Sequence, residues 1–185
     1  MSGMEHRRDR ERSGDGPGQW VLLCYRVPRE PSAPRIAIWR KLKRLGVAQL
    51  GDGLAGLPAD ARTREQLEWI AEEVTEAGGS AGVWLARPAT LAQERELAEG
   101  MAAARSAEYA AVAAEARTAH AASAAVRAAA LRRLRAELRR ITRRDYFPPA
   151  AREQAHAAVE ALAGLPDVVP AGQDAAAADS AGEHA

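Results

Sequence analysis

Residues 131–147 read LRRLRAELRRITRRDYF, and seven of these seventeen residues are arginine. A guanidinium is always charged and presents a planar fork of donors, which suits phosphate and other tetrahedral oxyanions. At 100° per residue, Leu131, Leu134, Leu138 and Ile141 fall within about 80° of one another, so a helix here has a single apolar stripe. Arg132, Arg135, Arg139 and Arg143 run along one flank, while Arg133, Arg140 and Arg144 lie nearly opposite the stripe. Like charges at i,i+4 repel by a few tenths of a kcal/mol per pair, roughly, and only Glu137 offsets them within the helix. Three readings stay open: neutralisation by a polyanion such as DNA, pairing with acidic faces of this chain or a partner, and a plain solvated surface. Arg143 and Arg144, followed by Asp145 and two aromatics, are the preferred pair for a small oxyanion. A helix C-terminus that favours cations is the simpler account of the same two residues.

A second basic segment, RIAIWRKLKRLG at 35–46, reads as a helix with Ile38, Leu42 and Leu45 on one face. Arg40, Lys41, Lys43 and Arg44 can reach phosphates from it, and Trp39 is expected in the core. The DNA-contact set is therefore Arg40, Lys41, Lys43, Arg44, Arg132, Arg133, Arg135, Arg139 and Arg140. The two basic helices lie far apart in sequence with a hairpin after the first, so no helix-turn-helix is visible and no base-reading element can be named. The formal net charge is only +1, but it is unevenly spread. Residues 29–46 hold six basic residues against Glu30, whereas residues 164–185 hold four acidic residues and no Lys or Arg. Such local patches steer a polyanion even when the whole chain is nearly neutral.

Little else in the sequence carries chemistry. Cys24 is the only cysteine, which excludes an internal disulfide or a thiolate cluster, and its place in an apolar strand predicts a buried structural thiol. His6, His120, His156 and His184 have no metal-ligand spacing, and His120 and His156 read as helix-surface residues. Asp52 in GDG needs only a turn role. No nucleophile elbow, phosphate loop or dinucleotide fingerprint occurs. The expectation is a non-enzyme without cofactor or metal. With neither a long apolar run nor a signal peptide, it is expected in the cytoplasm and away from membranes.

Around these residues the chain alternates in a recognisable order. Residues 1–18 are polar, mixed in sign and expected to be disordered. WVLLCYRV at 20–27 is a strand, 35–46 a helix, and VAQL (47–50) and GLAGLP (53–58) form a hairpin about GDG. A helix capped by Thr63 with Gln66 follows, and EAGGSAG ends it before a strand at 83–86. The order strand, helix, strand, strand, helix, strand predicts an α+β fold, a ferredoxin-like split β-α-β-β-α-β sheet domain over 19–88. Three helices are expected over 89–164, at about 91–118, 126–144 and from Pro148–Pro149 to Gly164, then a flexible acidic tail at 165–185.

Two blocks carry a resemblance to a known family. Residues 20–58, with an aromatic-led strand, R-x-x-x-W-R-x-L-K-x-L-G and a short hydrophobic hairpin, are similar to the N-terminal region of ChrB, the chromate-resistance regulatory protein. They are also similar to the sheet domain of phenylacetate-type repressors. The second block, 131–147 with Arg143–Arg144 before Asp145, makes the ChrB resemblance more specific, and together they extend it over about 20–163. The resemblance implies regulation of chromate efflux genes through DNA binding and a response to chromate. Full-length members carry a further C-terminal domain, which this sequence is expected to lack. The alternative is a non-catalytic accessory or oligomerisation protein whose same helices bind a protein partner, with a homodimer through the sheet as one form.

Overall fold

A computed structural model describes residues 18–164. The expected disordered start and acidic tail lie outside the described residues, apart from Gly18. Among these residues the fold is α+β, with one four-stranded antiparallel sheet and five helices: β1 Trp20–Arg26, α1 Ser32–Leu45, β2 Ala48–Gly51, β3 Leu54–Pro58, α2 Ala61–Glu76, β4 Ser80–Ala86, α3 Leu91–Ala119, α4 Ala124–Thr142 and α5 Ala151–Ala163.

The sheet order is β2-β3-β1-β4 and every neighbouring pair is antiparallel. Side chains alternate along a strand, so β1 sends Val21 and Leu23 to the face covered by α1 and α2. There they meet Ile38, Leu42, Leu67, Ile70 and Val74 in one core. Burying a residue such as Leu67 or Leu23 completely contributes about 1.5–3 kcal/mol. The alternate positions Trp20, Leu22 and Cys24 face the other way. Cys24 is therefore exposed rather than buried: on this face Phe147 and α3 (Leu91–Ala119) cover Trp20, while the Cys24 end of β1 stays open.

Local signals fix most boundaries. Gly46 ends α1 in the left-handed region (φ 72°), and its N–H donates to the carbonyls of Leu42 and Lys43. At the start of α2 the cap is Asp60, not Thr63 with Gln66. Asp60 Oδ1 accepts from Thr63 N at 2.7 Å while Thr63 Oγ1 accepts from Asp60 N at 2.9 Å. Thr63 thus acts from the third helical position and is fully buried. The last strand begins at Ser80, three residues before the apolar run, because Ser80, Ala81 and Gly82 pair with Arg26, Tyr25 and Cys24 of β1. Trp39 is 54% exposed instead of sitting in the core, since Ile38 and Leu42 take the buried side of α1. Lys43 Nζ lies 5.5 Å from the Trp39 ring centre, a cation–π contact.

The long helix α3 joins two cores. Its first turns contribute Leu97 and Met101 to the sheet core, and its second half contributes Tyr109, Val112, Ala113 and Ala116 to a helical core. That second core is completed by Leu134, Leu138 and Ile141 of α4 and by Ala155, Val159 and Leu162 of α5. The apolar stripe read from the arginine-rich helix is thus its buried face. Alanines at 113, 116 and 155 let these helices approach closely. The chain after α4 then returns to the sheet. Phe147 stacks on Trp20 with ring centres 6.1 Å apart, and Trp20 Nε1 donates to Glu94 Oε1 of α3 at 3.4 Å.

Candidate oxyanion cavity and arginine face

The C-terminal ends of α1 and α4 meet. Between them and the first turns of α2 lies a cavity of about 280 Å³ lined by Arg44, Leu45, Arg62, Gln66, Arg143, Arg144 and Tyr146. Four guanidinium groups line it and no carboxylate does. Part of this charge serves the helix ends, whose free carbonyls favour cations. Arg62 Nη2 donates to the Arg143 carbonyl at 2.8 Å and Arg144 Nη1 to the Lys43 carbonyl at 3.4 Å. Behind the cavity, Glu108 of α3 accepts from Arg144 Nη2 and from Arg105 Nη2, each at 2.9 Å.

Capacity is left over. Arg144 Nε, Tyr146 OH and Gln66 Oε1 are buried and make no hydrogen bond. A buried polar group without a partner is costly, and an acceptor-rich ligand at this cationic cavity would offer such groups partners. The Gln66 amide, turned about its last bond, offers a donor in place of its oxygen. Burial raises the Tyr146 phenol above its ordinary value near 10, with Arg62 beside it acting in the opposite direction. At neutral pH it is therefore a donor. Arg44, Arg62 and Arg143 have no ion pair among the described residues. A tetrahedral dianion would bring both the charge and the lone pairs that this set lacks.

The arginines named from sequence divide into two groups. Arg133 pairs with Glu115 of α3, Arg135 with Glu160 of α5 and Arg140 with Glu137 of its own helix, while Lys41 of α1 pairs with Glu73 of α2. Arg132, Arg139 and Arg143 are exposed and have no ion pair among the described residues. At 100° per residue these three fall within about 40° of one another, a stripe about 16 Å long at 1.5 Å per residue. It leads into the cavity, where Arg143 meets Arg44. The two basic helices, 101 residues apart between Lys43 and Arg144, are thereby joined at one place. Arg40 is exposed on α1.

Arg62, Arg105 and Glu108 were not singled out in the sequence, and Gln66 was named there only as the cap partner of Thr63. Arg62 and Gln66 stand at i and i+4 on one helix face, the only local sign of them; their opposition to 143–146 depends on tertiary packing. Asp145 proves to be a structural group. Its side chain is fully buried, and Oδ2 accepts from Tyr109 OH at 2.9 Å. His120 is exposed, whereas His156 is half-buried with an unpartnered Nε2. No cluster of metal-ligating side chains occurs among the described residues, and none of their helices is long and apolar enough to cross a membrane.

Comparison with curated proteins and with solved structures gave no match. A family model described as Protein ChrB, N-terminal, matches residues 35–167, from within α1 through the arginine helix and α5. Covering most of the chain, this match shows that the protein belongs to the ChrB N-terminal family.

Proposed function

We propose that this chain is a chromate-resistance regulator that docks on DNA through its arginine face and takes a chromate-like oxyanion in the cavity beside it. The carrying observation is the cavity itself: four arginines, no carboxylate, and three buried polar atoms without partners at one junction. Arg132, Arg139 and Arg143, with Arg40 and Arg44, supply phosphate contacts. Arg133, Arg135 and Arg140 contribute less, because glutamates already neutralise them. Arg143 belongs to both surfaces, so an anion that draws it inward competes with its phosphate contact. Occupancy then weakens DNA binding without a large rearrangement. The reading is of a cytoplasmic binding protein, not a catalyst, and takes the β2-β3-β1-β4 sheet as ferredoxin-like.

A second reading rests on β4. This edge strand, SAGVWLA, carries no charge or proline, and Trp84 and Leu85 are 64% and 53% exposed on its two faces. Edge strands lacking such protection pair readily with another strand. A homodimer through β4 fits both a regulator and an accessory protein.

The test is fluorescence anisotropy with DNA from upstream of the protein's own gene and a scrambled duplex of equal length, across a salt series with and without chromate. Tighter binding to the upstream DNA that chromate weakens is the expected result. Equal, steeply salt-dependent binding to both duplexes would reduce the protein to a nonspecific polyanion binder. No binding at low salt would overturn the DNA reading and favour the accessory one.

A further inference from the structure

A second, larger cavity of about 820 Å³ lies on the other side of the sheet, between its open face and the first turns of α3. Its floor is apolar. Leu22 of β1 and Leu50 of β2 lean toward each other over Gly56 of β3, where a Cβ would stand 2.8 Å from one leucine and 3.1 Å from the other. Trp20, Val47 and Ala48 continue this surface. The roof is one stripe of α3 at helical spacing: Gln93, Glu96, Leu97, Gly100, Met101 and Ala104. The small residues at 100 and 104 keep floor and roof apart, and a Cβ at Gly100 would meet nothing within 4 Å.

The polar lining is net cationic. Lys43, Arg87 and Arg105 face the cavity against the single carboxylate of Glu96. Arg105 is the telling residue. Its side chain is only 9% exposed, one end of its guanidinium is held by Glu108, and its Nε is buried without a partner. An apolar slot of drug-ligand size with a few placed polar groups is the general form of a small-molecule site.

We propose that this cavity binds an organic acid: a carboxylate carried on a flat or extended apolar body. The body lies between Leu22, Leu50, Leu97 and Met101, and the carboxylate faces Lys43 and Arg105 at the α1 end. This site is separate from the oxyanion cavity and does not depend on it, because an inorganic dianion has no apolar body and cannot use the leucine floor.

The experiment is calorimetric titration of the full chain with three probes sharing one body: 2-naphthoate, neutral 2-naphthalenemethanol and cationic 2-naphthylmethylammonium. Naphthoate is expected to saturate one site and to bind at least about tenfold tighter than the alcohol, the ratio that a charge-assisted hydrogen bond supports. The ammonium probe should be weakest. Gly100→Leu fills the slot and improves helix propensity, so it should fold and lose naphthoate. Lys43→Met should narrow the preference for naphthoate over the alcohol. Equal affinity for the three probes, naphthoate binding that survives Gly100→Leu, or no saturable heat at all would overturn the proposal. So would competition by chromate, which would place naphthoate in the cationic cavity instead.

Discussion

Arg144, just beyond the end of α4, reaches Glu108 on α3, with Nη2 donating to Oε2 at 2.9 Å. The other oxygen of the same carboxylate accepts from Arg105 Nη2 at 2.9 Å. One glutamate thus holds two guanidinium groups, of which Arg144, whose buried Nε lacks a partner, lines the cavity. Glu108 therefore lowers the cationic field of the site while fixing its geometry.

Removing that charge separates the two roles. Glu108→Gln keeps the side-chain shape but leaves Arg105, largely buried, without its counter-charge. The variant should lose about 1.5–3 kcal/mol in urea unfolding, the range for hydrogen bonds to charged groups. Its affinity for chromate or sulfate, measured by calorimetry, should rise because the cavity has gained net positive charge. Stability and anion affinity moving in the same direction would contradict the assigned role.

Gly46 is a test of how tightly the helical region seats on α1. It has φ 72°, and a Cβ there would lie 2.5 Å from Arg105 Nη1, 3.1 Å from Arg144 Cβ and 3.2 Å from the Arg144 carbonyl oxygen. Gly78 has a similar φ of 77° but nothing within 4 Å of a Cβ. Gly78→Ala should cost only the left-handed strain, about 1 kcal/mol. Gly46→Ala should cost more and should also weaken anion binding. Equal losses by urea unfolding would mean that Arg105 and Arg144 move aside freely.

Much of this frame was legible in the sequence. The stripe Leu131, Leu134, Leu138 and Ile141 predicted which side of α4 is buried, and GDG marked the hairpin. What could not be read was the phase of each arginine against its neighbours. Arg133 and Arg132 are adjacent and equally basic, yet only the first meets a glutamate, because α3 lies on that side. The exposure of Cys24 and Trp39 was misread for a related reason. Strand alternation identifies two faces but not which of them helices cover, and a tryptophan beside a helix stripe can fall on either side of it. The SAG opening of β4 resembled a turn, and pairing with β1 overrode that local signal.

The paired and unpaired arginines make different predictions for DNA. Replacing Arg132, Arg139 or Arg143 by Gln should each reduce the slope of log K against log salt by roughly 0.9, the value for one lost phosphate contact. Arg133→Gln, Arg135→Gln and Arg140→Gln should change it less, since each of these groups has a carboxylate at hand. Anisotropy across a salt series measures the slope directly. A uniform effect over all six would show that the surface ion pairs give way to phosphate, as weak exposed pairs can.

Tyr146 and Tyr109 have hydroxyls with opposite fates, and this gives a test that combines pH with binding. Burial raises both phenols above 10, while Tyr109 OH donates to the buried Asp145 and Tyr146 OH has no partner. Tyr109→Phe should therefore cost about 1.5–3 kcal/mol at pH 7, whereas Tyr146→Phe should be nearly neutral. For a phenol raised on folding, the unfolded chain ionises first. The native state then holds more protons above pH 10, so stability falls as pH rises from 10 through the folded value. It is fully present below pH 10. Tyr146→Phe should flatten that alkaline loss in pH-dependent urea unfolding. If the Tyr146 hydroxyl donates to a bound oxyanion, the same variant should also lose chromate affinity at pH 7 without losing stability. Unchanged affinity would remove Tyr146 from the site and leave binding to the arginines alone.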